Sequence, residues 1–210
     1  MSHELGRREF LQASVAGGMV CFGFKGGTGT ASRKLPDSAG SYTLGVLVQA
    51  NFGRRAELVI SGVPVGKHML EYAPFAPHQP HEGQGSLIAV MATDAPLLPH
   101  QLRRLARRGS LGMARTGAIS GNWSGDIFLA FSTANRGADG PAPVAGLTAL
   151  INEKMDPLLE AAVHAVEEAI INTLVAAETM TGREGVTAAA IPHRELQDLL
   201  RRYNRFEEKA

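Results

Sequence analysis

The stretch "GQGSLIAVMATDAPL", from residue 83 to residue 97, decides the fold. A glycine-rich polar lead-in ends at Ser86, and directly behind this serine comes an apolar run, 87–91, with the length and composition of a buried strand. The sequence therefore predicts a core strand over 86–93. A serine at the start of such a strand has two explanations: a loop simply ends there, or Ser86 becomes a chain terminus.

Further strands are predicted on both sides of this one. Apolar, β-branched runs at 42–50 and 56–62 predict two strands joined by a turn at 52–54, and the run at 126–134 predicts another. Between them, residues 70–85 are proline-rich and lack any periodicity, which is typical of a surface loop. The Gly/Pro/Ala stretch 137–146 is interpreted as a second loop.

Three helices are predicted in the second half of the chain. Asp94 is placed to cap a helix that opens near Pro96 and carries Leu98, Leu102 and Leu105 on one face. The pair Asp156-Pro157 opens a longer helix. Its apolar side chains recur at three- and four-residue spacing: Leu159, Val163, Val166, Ile170 and Leu174. A shorter helix over 194–206 closes the chain. Strands mixed with long helices predict a layered α/β or α+β architecture.

Composition narrows the possible classes of protein. The 210 residues are 44% hydrophobic, enough for one sizeable core in one domain or two small ones. With 21 Lys and Arg against 20 Asp and Glu, no overall charge attracts nucleic acid or an acidic membrane. No apolar run reaches the roughly 18 residues of a membrane helix. The single cysteine, Cys21, excludes an internal disulfide and is expected to be a buried structural thiol.

Several partial motifs fail on their spacing. The segment "KGGTGTAS" (25–32) lacks the order of a phosphate-binding loop and is interpreted as a glycine-rich turn between strands. His78 and His81 have no second cluster of ligands at metal-binding spacing, so we interpret them as linker histidines and predict no metal site. A G-x-S-x-G nucleophile elbow is absent, which argues against an α/β-hydrolase.

The amino terminus has two interpretations. The run "RREFL" (7–11) resembles a twin-arginine export signal, and mostly small or apolar residues follow it. The hydrophobic part continues without a break into 19–27, which we assign to the folded protein. We therefore favour a chance match and a cytoplasmic protein, with export as the alternative. Residues 1–16 are interpreted as an extension and residues 17–210 as one domain.

Three long stretches together resemble a known family: "GVLVQANFG" (45–53), "GSLIAVMATDAPLLPHQLRRLARR" (85–108) and "RTGAISGNWSGDIFLAFSTAN" (115–135). They are similar to the DmpA and β-peptidyl aminopeptidases, which are self-processing hydrolases with an amino-terminal serine. The likeness extends to 19–33 and 167–185. It implies an α+β fold of the αββα sandwich type, with two β-layers covered by helices.

One departure from the family pattern concerns the amino-terminal side. Family members carry a long segment ahead of the part that matches 19–27, including a catalytic tyrosine and part of the substrate pocket. This chain has no matching segment, and Tyr42, Tyr72 and Tyr203 do not lie in the corresponding motif. We therefore expect the sandwich to be incomplete at its amino-terminal side.

The resemblance also implies the site. The family cuts itself before a serine that then becomes the nucleophile, and the matching bond is Gly85–Ser86. Gly85 has no Cβ that would hinder approach to this peptide bond. Cleavage would free the Ser86 α-amine, whose ordinary pKa of about 8 suits a base for the neighbouring hydroxyl. Ser124 and Asp126 match the family's serine and acidic residue, where relatives carry glutamate. Asn51 matches the asparagine that helps to hold the oxyanion.

The implied activity is that of a serine-dependent aminopeptidase or amidase. It would release amino-terminal residues from small peptides, amides or esters, would need neither metal nor organic cofactor, and would work as a homo-oligomer. Without the family, Ser124 and Asp126 would be turn residues and Asn51 a strand-end residue. The alternative function is that of a truncated, catalytically inactive chain that acts only as a structural or assembly module. The preference for D-, L- or β-residues stays open at this stage.

Overall fold

The computed structural model describes residues 18–72, 85–138, 140–141, 143–182 and 185–207. In chain order its strands are β1 (Val20–Cys21), β2 (Phe24–Lys25), β3 (Gly27–Lys34), β4 (Thr43–Asn51), β5 (Ser86–Thr93), β6 (Ile127–Ser132), β7 (Met180–Thr181) and β8 (Thr187–Ala188). Its helices are α1 (Val65–His68), α2 (Pro99–Arg115), α3 (Asp156–Val175) and α4 (His193–Arg202), with short 3₁₀ turns at Asp37–Ala39, Arg55–Glu57, Leu70–Tyr72 and Asn152–Lys154.

A four-stranded mixed sheet organises the domain. Its strand order is β3-β4-β5-β6, in which β4 runs antiparallel to both of its neighbours and β6 runs parallel to β5. The predicted core strand is therefore an inner strand, paired along its whole length with β4. Two short hairpins, β1–β2 and β7–β8, lie outside this sheet.

One face of the sheet is covered by helices. The parallel pair β5 and β6 needs a crossover connection, and α2 provides it while packing on β6. Helix α3 packs across β3 and β4 and against α2. The two helices approach closely, because a Cβ added to Gly112 would lie only 2.5 Å from the Val163 carbonyl oxygen. These two helices and the sheet face below them supply much of the core, and the β1–β2 hairpin, the segment 58–69 and α4 also contribute to it.

The other face of the sheet is exposed. In β5, Leu87, Ala89 and Met91 are fully buried, whereas the alternating Ile88 is 43% exposed. This alternation follows from strand geometry, which directs successive side chains to opposite faces. The described residues thus provide one β-layer and one α-layer.

Most predicted elements are confirmed. Strands β4, β5 and β6 and helix α3 occupy the expected segments, and the last helix, His193–Arg202, is shorter than the predicted 194–206. Cys21 is completely buried, and this burial raises the pKa of its thiol to about 12. The predicted loop at 70–85 begins with a 3₁₀ turn, and most of it lies outside the described residues.

Three local predictions are wrong. The segment 25–32 contains most of β3 and is not a turn. A Cβ at Gly29 would lie only 2.1 Å from the Ala169 carbonyl oxygen, so glycine at this position allows the strand to approach α3 closely. The segment 56–62 contains a 3₁₀ turn and a single bridge, Ile60 to Val63. Asp94 does not cap α2. Its carboxylate accepts the Thr43 backbone N–H at 2.7 Å.

A buried arginine directly precedes the segment 56–62, which was predicted to be a strand. Arg55 is 1% exposed, its Nε donates to the Phe22 carbonyl at 2.7 Å and its Nη1 donates to the Met69 carbonyl at 2.8 Å. The guanidinium also stacks on the Phe24 ring, 3.3 Å from its centroid. A buried charge needs such partners, and they tie the β1–β2 hairpin to the segment after β4.

Candidate active site

Ser86 stands at the end of the sheet where β4 finishes and β5 begins. Its partner in the strand register is Asn51, the last residue of β4. The Ser86 hydroxyl oxygen accepts a hydrogen bond from the Gly125 backbone N–H at 2.9 Å. This contact joins the start of β5 to the loop before β6, so the predicted nucleophile and the "NWSGD" segment (122–126) lie together.

Gly85 occupies a position that admits no side chain. Its φ angle of +123° lies in a region that favours glycine. A Cβ at this residue would stand 2.0 Å from the Asn51 carbonyl oxygen, far inside van der Waals contact. The residue on the amino side of Ser86 must therefore be glycine for this strand pairing to form.

The orientation of the Asn51 side chain follows from its partner. The side-chain oxygen Oδ1 accepts the Val20 backbone N–H at 2.9 Å, and only the oxygen of an amide can accept. The nitrogen Nδ2 consequently faces Gly85, 3.3 Å from the position that a Cβ would take. Asn51 thus presents a neutral donor beside the carbonyl-bearing residue of the predicted scissile bond.

Asp126 is held on both carboxylate oxygens. Oδ1 accepts the Leu87 backbone N–H at 2.7 Å, and Oδ2 accepts the Ser120 hydroxyl at 2.6 Å. In the uncut chain the carboxylate therefore contacts the backbone one residue beyond Ser86. Charge-assisted hydrogen bonds of this kind are stronger than neutral ones, so Asp126 anchors the start of β5.

Ser124 has a buried hydroxyl. Among the residues that the structure describes, this hydroxyl has no hydrogen-bond partner. It lines a small cavity of about 20 Å³ together with Gly85, Ser120 and Ile119. Leaving a buried hydroxyl unpaired costs about 1–3 kcal/mol, so such a group calls for an explanation. A cavity of this volume has room for one water-sized group, such as a water molecule or an ammonium group, which would provide the missing partner.

The sequence prediction missed several contributors. Ser120 adopts a left-handed conformation, with φ +49°, and positions Asp126. The backbone N–H groups of Gly125 and Val20 have no signature in the sequence because every residue except proline has one. Ile119 and Trp123, 67% and 78% exposed, flank the site with apolar surface. Only the closeness of "AIS" to the matched "NWSGD" segment could have pointed to Ser120.

Two kinds of feature are absent from the described residues. They contain no group of three or more His, Cys, Asp and Glu side chains that could hold a metal ion. The linker histidines His78 and His81 lie outside these residues. In the part of the chain that the structure covers, no helix has the length and apolarity to cross a bilayer.

Comparison with known proteins identifies the family of the chain. Residues 13–188 match the model of peptidase family S58. The β-peptidyl aminopeptidase BapA of Sphingosinicella microcystinivorans is 48% identical over 213 aligned residues, which cover 93% of this chain and 52% of that relative. The chain therefore spans about half the length of the curated relatives it matches.

Solved structures give the same result. The L-aminopeptidase D-Ala-esterase/amidase of Ochrobactrum anthropi, described as a variant of the Ntn-hydrolase fold, is 47% identical with a TM-score of 0.82, over 90% of this chain and 52% of that one. A β-aminopeptidase of Burkholderia sp. is 45% identical with a TM-score of 0.75, over 88% of this chain and 51% of that one. These matches confirm the predicted fold class, and the chain belongs to peptidase family S58.

Proposed function

We propose that the chain cleaves itself between Gly85 and Ser86 and that the new amino-terminal Ser86 is the nucleophile of an aminopeptidase or amidase. The observation that carries this proposal is the convergence of three groups on the Gly85–Ser86 segment. They are the Gly125 N–H on the Ser86 hydroxyl, the Asn51 amide beside Gly85, and the Asp126 carboxylate on the Leu87 N–H.

The cleavage step uses only groups of the chain and one water molecule. The Ser86 hydroxyl attacks the Gly85 carbonyl carbon, and the hydroxyl proton passes to the departing Ser86 nitrogen as the peptide C–N bond breaks. The product is an ester between Gly85 and the Ser86 oxygen. Water then hydrolyses this ester to a Gly85 carboxylate, the free Ser86 hydroxyl and a free α-amine. The Asn51 side-chain N–H groups stabilise the negative charge that develops on the Gly85 oxygen.

Turnover would use the same groups on a substrate. The Ser86 hydroxyl attacks the substrate carbonyl while its own α-amine takes the proton, as in other amino-terminal nucleophiles. The unpaired Ser124 hydroxyl and the Asp126 carboxylate orient this amine or the ammonium group of the substrate. The apolar rim of Ile119 and Trp123 suits small peptides, amides or esters with apolar side chains.

The two fragments of a cleaved chain have reason to stay together. Strand β4 would belong to one fragment and β5 to the other, and the two strands pair over eight positions. Helix α3, in the second fragment, packs on β3 and β4 of the first. Cutting one peptide bond removes none of these contacts.

Two broader properties follow from the same proposal. The enzyme works in the cytoplasm, because Cys21, Phe22 and Phe24, which an export signal would use in its hydrophobic part, are core residues. It works as a homo-oligomer, for which the exposed sheet face offers a surface. The rival function is that of an inactive assembly module.

Mass spectrometry and amino-terminal sequencing of the purified chain test the proposal. We expect two fragments of 85 and 125 residues, the second beginning Ser-Leu-Ile-Ala. Ser86→Ala should remain one chain, whereas the control Ser32→Ala, another strand serine, should process like the wild type. A wild-type chain that stays whole after prolonged incubation would favour the inactive module. Fragments that form equally in Ser86→Ala would remove Ser86 from the mechanism.

A further inference from the structure

A groove lies at the end of the sheet opposite the candidate active site. Its volume is about 700 Å³, and its lining comes from the turn between β3 and β4 and from the start of α3. Tyr42, which lines the groove, directly precedes β4, whereas Asn51 ends that strand. The strand has nine residues. A strand of this length spans roughly 30 Å, so the groove is well separated from Ser86.

Both walls of the groove are fixed by hydrogen bonds. In the turn between β3 and β4, the Leu35 N–H donates to the Tyr42 carbonyl at 2.7 Å. Gly40 has a φ of +90°, and a Cβ there would lie 2.5 Å from the Tyr42 ring, so glycine lets this ring lie against the turn. On the other side, the Leu150 N–H donates to the Pro96 carbonyl at 2.7 Å. The groove is thus preformed, as most ligand sites are.

The floor of the groove is apolar. Leu35 is 8% exposed and Ala161 is 6% exposed, and the half-buried Tyr42 and Leu150 pack against the same core. Ligand sites are mostly apolar clefts of about 300–1,000 Å³ that carry a few polar groups to fix orientation. The groove has this size and this lining, so its floor suits an apolar side chain of a ligand.

Charged side chains of both signs surround this floor. Two are positive and two are negative: Lys34, Lys154, Glu153 and Glu160. All four are exposed, and among the residues that the structure describes none of them takes part in an ion pair. Arg33 also lines the groove, but it is paired with Glu168. Opposite charges therefore border one cavity without neutralising each other.

This arrangement selects for the charge of the ligand. A ligand with one negative and one positive end can contact both signs at once, through charge-assisted hydrogen bonds. A simple anion would meet the repulsion of the glutamates, and a simple cation that of the lysines. A free amino acid carries both charges but is much smaller than the groove. A peptide of two or three residues with free ends has both the charges and the size.

We propose that the groove binds a short peptide with free amino and carboxyl ends and an apolar side chain. Lys34 and Lys154 hold its carboxylate, Glu153 and Glu160 hold its ammonium group, and the floor holds its side chain. The site is separate from the candidate active site, because none of these groups contacts Ser86. The proposal therefore depends neither on self-cleavage nor on turnover.

Heteronuclear NMR spectroscopy of isotope-labelled Ser86→Ala tests the proposal, since this variant lacks the candidate nucleophile and should not consume the peptide. Titration with leucyl-leucine should shift the backbone resonances of Leu35, Gly40 and Ala161 and reach saturation. Leucyl-leucine amide, which lacks the carboxylate, should bind at least about tenfold more weakly, and so should N-acetyl-leucyl-leucine, which lacks the ammonium group. Free leucine should also bind more weakly, because it covers less of the apolar floor.

Charge reversal of the lysines tests the carboxylate contact. In the same background, Lys34→Glu combined with Lys154→Glu should weaken the binding of leucyl-leucine at least about tenfold. The matched control combines Lys67→Glu with Arg194→Glu. It changes the net charge equally at exposed positions outside the groove, and it should leave the affinity unchanged.

Charge reversal of the glutamates guards against misfolding. Glu153→Lys combined with Glu160→Lys should weaken the binding of leucyl-leucine, while N-acetyl-leucyl-leucine should now bind at least as tightly as leucyl-leucine does. A misfolded groove would lose both ligands, so the reversed preference reports on charge alone.

Several results would overturn the proposal. One is the absence of saturable shifts at the groove residues up to about 10 mM leucyl-leucine. Another is a set of shifts confined to Ser120 and Gly125, which would place the peptide in the candidate active site. Equal binding of the amide and the N-acetyl peptide would remove the charged ends from recognition, and equal binding of free leucine would replace the peptide by a single amino acid.

Discussion

The two faces of the central sheet differ although they are made of the same strands. Leu87 and Ile88 are consecutive apolar residues, yet the first is 0% exposed on the buried face and the second is 43% exposed on the opposite face. The covered face supplies the packing that folds the chain. The exposed face carries the candidate site residues Ser86 and Asn51. Alternation within one strand thus separates stability from function.

This division has a physical basis at the start of β5. The buried Leu87 fixes the strand from below, while its N–H is bound by Asp126 from the side. Ser86 is therefore held by groups on its neighbour, and its own hydroxyl remains exposed to a substrate apart from the Gly125 contact. A nucleophile positioned in this way keeps its reactivity because few of its own contacts need to break.

The direct test of the comparison pairs two neighbouring truncations. Leu87→Ala should lower the free energy of unfolding by about 2–5 kcal/mol, because it leaves a cavity in the buried core. Ile88→Ala should lower the free energy of unfolding by roughly 1 kcal/mol or less. Urea denaturation measures the free energy of unfolding of both variants. Equal losses of stability would mean that the side chain of Ile88 packs as fully as that of Leu87, and would contradict the difference between the two faces.

A smaller loss of stability with a large loss of processing is expected at Gly85. Gly85→Ala places a Cβ 2.0 Å from the Asn51 carbonyl oxygen, so the end of the β4–β5 ladder must separate, at a cost of about 1–3 kcal/mol. Self-cleavage should fall below detection. Gly62→Ala is the matched control, since its φ is also positive but no atom lies within 4 Å of the new Cβ. Cleavage of Gly85→Ala at the wild-type rate would contradict the geometry.

The smallest effects concern the groups around Asp126. Asp126→Asn keeps an acceptor for the Leu87 N–H and should cost about 1 kcal/mol of stability, but processing should slow by roughly tenfold because the charge is lost. Ser120→Ala should slow processing several-fold, because Asp126 loses the hydroxyl from which it accepts a hydrogen bond. Time courses followed by mass spectrometry provide the rates. A processing rate untouched by both Ser120→Ala and Asp126→Asn would assign these residues to the turn alone.

The predictions from sequence succeeded where one local pattern decides the structure. Strand β5 follows from an apolar run, and α3 follows from its periodicity and the opening Asp156-Pro157 pair. They failed at β3 because Gly27 and Gly29 signal a turn locally. Only the packing of Gly29 on Ala169 shows that the glycine serves a close approach between strand and helix. At 56–62 the burial of Arg55 overrode the apolar pattern.

The same distinction holds for the candidate site. Long matched motifs were enough to select Ser86, Asn51, Ser124 and Asp126 as candidates, since their residue types and order are properties of the chain itself. The sequence alone also determined the core strand, the main helix and the family. Tertiary structure alone decided which backbone N–H binds Ser86, which serine positions Asp126 and which face of the sheet stays exposed. Gly125 and Ser86 are 39 positions apart, and the exposed face depends on layers that pack on one side only, so no local pattern encodes either feature. The contact between Ser120 and Asp126 spans only six positions, but it depends on the left-handed backbone that Ser120 adopts in the folded loop.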